Sequence, residues 1–226
     1  MTYACIIPFY NEGERILKTL SVVSKIDQFN EIICIDDGSE DKASEKITKL
    51  FPNVELVQFS ENRGKSEAVK QGVKQSSSEV IFLLDADLTD LNQAEIKKAI
   101  KNMEKSDYDM IILKLAEAIT SVDFARSHVL LAGQRLFFRS DFQQIIENED
   151  FNEFQLEIAI NKFMRKKDKK VGWMKSSLKT PKKIEKREDK WGAIKEDYTM
   201  FKNIILYSGV SEYLLQLLLF AKEEVH

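Results

Sequence analysis

The chain has 226 residues, 43% of them hydrophobic and 31% charged, with a formal net charge of −3. That length fits one sizeable domain or two small ones. The charge balance points to no nucleic-acid partner, and no apolar run approaches the roughly 20 residues a membrane span needs. The cysteines Cys5 and Cys34 lie in apolar runs, so they read as reduced core thiols, too few for a disulfide framework and without companions for a zinc site. The first apolar run is interrupted by Pro8 and lacks a basic leader, which argues against a secretory signal. The expectation is a cytoplasmic protein, or one peripheral on the inner face of a membrane.

In chain order, "YACIIP" predicts a first strand, followed by the amphipathic "ERILKTLSVVSKI" with Ile16, Leu17, Leu20, Val23 and Ile26 on its apolar face. "EIICID" is followed by "EDKASEKITKLF", "VELVQF" by "KSEAVKQGVKQS", and "VIFLLD" by "LNQAEIKKAIKNM"; a fifth apolar run is "DYDMIILK". Short apolar runs alternating with helical segments predict βαβ units and a largely parallel sheet. Apolar residues on both faces of the strands predict helices covering both sides. The fold class is therefore α/β, a doubly wound, mostly parallel sheet flanked by helices.

The second half is less regular. Residues 115–132 have no clean period and read as a long loop. "GQRLFFRS" predicts a short strand with Ser140 as N-cap of a helix through Ile146. Residues 152–164 read as a helix carrying Phe154, Ile158 and Phe163, and "KKVGWMK" as a strand. A helical tail runs from about Glu196 to Lys222, with a break at Gly209, and ends in "YLLQLLLF". That apolar end either packs on the core or lies in a membrane interface. Between Asn161 and Lys190, thirteen Lys/Arg stand against four Asp/Glu. This basic stretch is either a solvated surface or a rim for phosphates and acidic lipids.

In doubly wound sheets ligands bind at the carboxyl ends of the strands. Those ends carry "PFYNE", "DDGS", "ENRGKSEA" and "DAD". Turns alone would account for any one of them, and a lone DxD is weak evidence. Four such segments at one predicted edge are not. Asp85 and Asp87, one residue apart, would repel each other unless a cation compensates them. A divalent ion such as Mg²⁺ or Mn²⁺ takes oxygen ligands from carboxylates and phosphates together.

The ordered segments "IIPFYNEGERI", "IICIDDGSEDKA", "NRGKSEAVKQGV" and "VIFLLDADL", and more loosely "GQRLFFRSDF" and "FQLEIAI", resemble the family-2 glycosyltransferases over residues 3–165. The later segments are most similar to the branch that makes polyprenyl-phosphate sugars, or to its relative that glucosylates phosphoglycerate. The resemblance implies a GT-A fold forming one glycosyltransferase domain over 1–226. Its nucleotide-sugar-binding half would be 1–113, its acceptor-side half 114–195 and its C-terminal helix 196–226.

It also implies roles for particular residues. Pro8, Tyr10 and Glu12 would line the nucleoside pocket; Asp36 and Asp37 would hold base and ribose, with Gly38 letting the backbone turn close by. Asn62, Arg63, Gly64 and Lys65 match the loop beside the nucleotide, where Lys65 would face the diphosphate. Asp87 would be the more direct metal ligand, with Asp85 near the ribose or metal waters. Gln134 and Arg135 match a segment facing acceptor and phosphates, and Lys114 stands where many relatives have an arginine. Glu157 is the candidate base, an acid in an apolar helical stretch, with Asp150 and Glu153 as rivals.

Two departures bear on the acceptor. Thr89 stands where lipid-phosphate mannose synthases often have glutamine, and neither His128 nor His226 matches the late histidine of the phosphoglycerate branch. Lys186, Arg187 and Lys190 would then neutralise the diphosphate in that region. The resemblance implies an inverting transferase using a UDP- or GDP-linked sugar and Mg²⁺ or Mn²⁺. Its acceptor is expected to be a polyprenyl phosphate at the membrane surface. The alternatives are a soluble phosphorylated acid, or a nucleotide-sugar-binding protein without transfer activity.

Overall fold

The computed structural model describes residues 1–116, 127–151, 155–179, 199 and 202–226. Glu153, Phe154, Lys186, Arg187 and Lys190 lie outside the described residues, as does the side chain of His128.

Four strands, β1 (Tyr3–Phe9), β2 (Glu31–Asp36), β3 (Glu55–Gln58) and β4 (Val80–Leu83), run parallel in the order β3-β2-β1-β4. With β5 (Met110–Lys114), β6 (Arg135–Phe138), β7 (Val171–Lys175) and the short β8 (Glu223–Glu224) they form one eight-stranded sheet, β3-β2-β1-β4-β6-β5-β7-β8. Among these strands β6 runs antiparallel, pairing Val80↔Phe138 through Leu83↔Arg135 on one side and β5 on the other. The sheet bears out the mostly parallel, helix-flanked architecture.

The helices are α1 (Glu14–Val23), α2 (Ala43–Leu50), α3 (Lys65–Gln75), α4 (Gln93–Lys105), α5 (Ser127–Leu130), α6 (Arg139–Asn148), α7 (Leu156–Lys166) and α8 (Val210–Leu219). Successive strand residues point to opposite faces, and β1 shows the consequence. Tyr3, Cys5, Ile7 and Phe9 enter a core with Ile16 and Leu20 of α1 and Ile96 and Ile100 of α4. Ala4 and Ile6 enter the second core, with Val69 and Val73 of α3, Phe142 of α6 and Ile160 of α7. Cys5 and Cys34 are buried free thiols, as their apolar surroundings predicted.

Two local expectations are corrected. Ser140 does not cap α6: the helix begins at Arg139, its N-cap position is Phe138, and no side chain caps it. The sheet decides this start, because the Arg139 N–H donates to the Glu79 carbonyl at 2.9 Å and the chain turns directly from β6 into the helix. The tail breaks at Gly209 (φ 78) as expected, but the helix ends at Leu219. The last residues instead add β8 to the sheet edge, Gly172 pairing with Glu223 and Trp173 with Glu224. Among the described residues no helix is long and apolar enough to cross a membrane.

Candidate active site

The parallel strands β1, β2, β3 and β4 deliver their C-terminal ends to one edge, and backbone bonds knit the loops there together. The Asp37 N–H donates to the Phe9 carbonyl at 2.9 Å, and the Phe59 N–H to the Asp36 carbonyl at 2.9 Å. Asn11 adopts a left-handed conformation (φ 52), which asparagine tolerates better than most residues. Its N–H donates to Ser39 Oγ and its Oδ1 accepts the Glu40 N–H, both at 2.9 Å. Pro8 is buried within β1, Tyr10 stands 43% exposed beyond it, and Glu12 pairs with Arg15.

Asp36 and Asp37 are buried, and internal donors engage all four of their oxygens. Asp36 accepts from the Ser39 N–H at 2.8 Å on one oxygen, and from the Ser44 hydroxyl and Gln58 Nε2 on the other. Asp37 accepts the backbone N–H groups of Arg63 at 2.7 Å and Gly64 at 2.9 Å. The pair expected to hold base and ribose therefore also works within the protein, Asp37 locking the loop after β3 to the end of β2. Gly38 makes the closure sterically feasible. Its φ is 77, and a Cβ there would lie 2.5 Å from the carbonyl carbon of Glu61.

The chemistry-bearing groups meet around Lys65, at the start of α3. A cation is disfavoured at a helix N-terminus, and two carboxylates outweigh that. Lys65 Nζ lies 2.7 Å from Asp85 Oδ1 and 3.1 Å from Glu157 Oε1. Burial opposes the ammonium charge, but Asp85 and Glu157 more than compensate and hold Lys65 above the ordinary lysine range. The Lys65 side chain remains 35% exposed. Asp85 Oδ2 is engaged too, accepting from Gln134 Nε2 at 2.6 Å. The backbone of Gly133 passes so near that a Cβ there would fall 2.5 Å from the same oxygen.

Asp87 follows two residues later in the turn after β4, partly buried. A strap after β7 flanks this turn: Thr89 and Lys179 exchange backbone hydrogen bonds at 2.8 and 3.1 Å, and Lys179 Nζ lies 3.2 Å from Asp90. The Ser177 hydroxyl donates to the Asp90 carbonyl at 2.9 Å. The exposed Asn62 and the partly buried Lys114 border the same edge, with Lys114 Nζ 5.4 Å from the centre of the Trp173 ring. Asp150 forms none of the contacts around Lys65.

Two expected phosphate-facing residues are corrected. Arg135 is completely buried, and its guanidinium serves the protein itself. It donates to the carbonyls of Ala132 and Leu130, each at 2.6 Å, to Asn161 Oδ1 at 2.6 Å, and to the Glu157 carbonyl at 3.4 Å. Burial pushes it down to about 10, against the pull of Glu157 and Asp85, so it stays charged at neutral pH. Gln134 is equally buried and works from beneath, positioning Asp85, while its own Oε1 has no hydrogen-bond partner among the described residues. The physical reason is common to both. Arg135 opens β6 and Gln134 directly precedes it, and β6 lies in the middle of the sheet, between β4 and β5, so both side chains are enclosed.

Asn161 is a site residue the sequence reading missed. It is fully buried, accepts from Arg135 and donates to the Leu130 carbonyl at 3.0 Å, fixing α7 to the segment before β6. The signal was present: a second polar residue four positions after Glu157 falls on the same face of an otherwise apolar helix. A divalent cation fits the donor chemistry of Asp85 and Asp87, which offer hard carboxylate oxygens. Among the described residues no group of three or more His, Cys, Asp or Glu is poised to hold a metal alone. Phosphate oxygens of a ligand would have to complete the shell.

Residues 4–173 match the sequence model of glycosyl transferase family 2. Poly-beta-1,6-N-acetyl-D-glucosamine synthase of Staphylococcus aureus (strain COL) is 46% identical over 81 residues, 34% of this chain and 20% of that protein. The enzyme of the same name from Staphylococcus epidermidis is 42% identical over the same length. The chain thus aligns with about a fifth of these curated relatives. Glucosyl-3-phosphoglycerate synthase from Mycobacterium tuberculosis, solved with Mn²⁺, UDP and glucosyl-3-phosphoglycerate, superposes with a TM-score of 0.73 at 14% identity, covering 96% of this chain and 79% of that one. The same enzyme with Mn²⁺, UDP-glucose and glycerol 3-phosphate gives 0.71 at 15% identity, with the same coverage. The fold is therefore that of the GT-A glycosyltransferases.

Proposed function

Because the chain belongs to glycosyl transferase family 2, we propose that it transfers a sugar from a UDP- or GDP-linked donor to the phosphate of an acceptor, carried on a polyprenyl lipid. The observation that carries the reading is the cluster of Lys65, Asp85, Gln134 and Glu157, where a partly exposed lysine side chain is held between two carboxylates, Asp85 being two residues before Asp87.

Pro8, Tyr10 and Glu12 border the nucleoside, and Asp36, Asp37 and Gly38 shape its pocket. Lys65 meets the diphosphate. Asp87, with Asp85, would hold Mg²⁺ or Mn²⁺, which supplies Lewis-acid stabilisation of the leaving diphosphate when bound. In the transfer the acceptor oxygen forms a bond to the anomeric carbon as the bond to the diphosphate breaks on the opposite face, inverting the configuration. A phosphate monoester with a second pKa near about 6 is largely dianionic at neutral pH and needs no proton removed. That suits a site whose best base candidate, Glu157, already neutralises Lys65.

The second reading takes a soluble phosphorylated acid with a hydroxyl nucleophile. The fold likeness to glucosyl-3-phosphoglycerate synthase favours it, and Glu157 would then have to accept a proton.

The test begins with thermal shifts for UDP-, GDP- and CDP-sugars, each with Mn²⁺ and with EDTA. One nucleotide should give a metal-dependent shift that Asp87→Ala abolishes; no shift with any of them sinks the donor-site reading. Transfer is then compared on a short-chain polyprenyl phosphate and on 3-phosphoglycerate. The lipid reading requires product on the former that survives Glu157→Gln. Product on the latter alone, lost in Glu157→Gln, establishes the second reading.

A further inference from the structure

The C-terminal helical segments present an apolar face to the outside. Among the described residues nine large apolar side chains are exposed, and six of them lie between Leu206 and Leu219. Leu206 (73%), Val210 (59%), Leu214 (49%) and Leu218 (67%) recur every four residues, and Leu215 and Leu219 widen the stripe. The row continues across the break at Gly209, from the helical residues 202–208 into α8. A surface helix in water carries the opposite arrangement, apolar residues inward and polar residues outward.

Here the inward side of α8 holds Gln216, fully buried, whose Nε2 donates to the Ile158 carbonyl at 3.4 Å and Glu212 Oε1 at 3.1 Å. Glu212 also takes a two-pronged contact from Arg165 of α7. These polar contacts, with Leu217 packed against the second core, fasten α8 to the protein and leave Leu214, Leu215, Leu218 and Leu219 facing out. An exposed apolar stripe of this extent marks a docking surface.

Charge and the shortage of polar groups identify the occupant. α8 packs antiparallel to α7, Glu212 beside Arg165 and Gln216 beside Ile158, which brings the basic end of α7 beside Val210. Lys166 and Lys167 are exposed there, Lys202 is exposed where the helical segment starts, and Lys222 just past α8; the exposed acids in these stretches are Asp168 and Glu223. A specific protein partner would need about one hydrogen bond per 100–200 Å² of interface, and the exposed row offers Ser211 as its hydrogen-bonding side chain. A fluid lipid surface requires no such register. It requires an apolar face with basic flanks.

We infer that residues 202–222 dock the protein on an anionic lipid surface, the leucines entering the acyl boundary and the flanking lysines meeting the headgroups. This surface does not rest on the acceptor reading, since a soluble acceptor would leave the leucines equally exposed. It does place the site close to the lipid: Ile158, which anchors Gln216, is the neighbour of Glu157.

The test is co-sedimentation of the full chain with vesicles of phosphatidylglycerol and phosphatidylcholine, against phosphatidylcholine alone. The protein should pellet with the anionic vesicles. Leu214→Glu with Leu218→Glu should weaken binding about tenfold or more, and Lys166→Glu with Lys167→Glu several-fold, with raised salt mimicking the latter. Both double variants alter exposed side chains, so their melting temperatures and donor-induced shifts should match the wild type. A wild-type protein that stays in the supernatant overturns the inference, as do leucine variants that pellet unchanged. Sedimentation equilibrium supplies the remaining outcome: a wild-type dimer that the leucine variant dissociates would assign the face to a second copy of the chain.

Discussion

Lys65 contacts both Asp85 and Glu157, so replacing it affects ligand binding and folding together. Its side chain is about a third exposed, but Glu157 is buried, so loss of the ammonium leaves two carboxylates without their cation. Lys65→Met should destabilise the fold by about 1–3 kcal/mol at neutral pH. It should also weaken donor binding about tenfold or more, the loss expected for a charge-assisted contact to phosphate. Urea denaturation and donor titration check the two halves of that statement. Arg135 acts on the fold alone. Its guanidinium satisfies two carbonyls and Asn161 at once, and an ammonium cannot span those positions. Arg135→Lys should destabilise the fold by about 2–4 kcal/mol, the range for a broken buried polar network.

At the scale of elements, two anchors hold the sheet edges in register. Glu31 opens β2, and its carboxylate accepts from the hydroxyls of Ser76, Ser77 and Ser78 and the N–H groups of Ser77 and Ser78, clamping the turn before β4. Partial burial raises its pKa, but these hydrogen bonds outweigh that and hold the carboxyl at about 2 instead of 4.5. A carboxylate depressed on folding contributes stability above its unfolded pKa and loses it as pH falls toward its folded one. Glu31→Gln should therefore cost about 1.5–3 kcal/mol at neutral pH. The difference from wild type should fade between about pH 4.5 and pH 2. Urea unfolding across that range reads it directly. At the opposite end of β2, Gly38→Ala meets both a positive φ and backbone 2.5 Å away. It should destabilise by at least about 2 kcal/mol and weaken nucleotide binding in the same titrations.

For the whole molecule, four residue pairs between β4 and β6 join the parallel half to the later strands. Two cores on opposite faces of one sheet then share every strand from β1 to β6. We expect one cooperative transition, with tryptophan fluorescence and far-ultraviolet circular dichroism superimposing in urea. Separate transitions would mean that the segment after about 114 unfolds on its own. A donor bound to the native state at a hundredfold its dissociation constant should add about 2.7 kcal/mol to that single transition.

The sequence by itself determined the repeating strand–helix order, the parallel sheet, and the edge where "PFYNE", "DDGS", "ENRGKSEA" and "DAD" gather. Those features follow from local periodicity and turn chemistry, which neighbouring residues encode. It also supplied the resemblance to the family-2 glycosyltransferases, which the family match bears out at the level of the family. Tertiary structure alone decided what each polar side chain touches. Arg135 and Gln134 read as phosphate contacts, yet β6 is inserted between β4 and β5, so both are buried and turned to internal partners. Nothing local in "GQRLFFR" shows that a strand will be central. Lys65 and Glu157 stand 92 residues apart in the chain, and no periodicity links residues at that separation. The leucine-rich tail was legible as apolar but not as outward-facing. Which side of a helix meets water depends on what the other side finds to bind, and here Gln216 and Glu212 found α7 first.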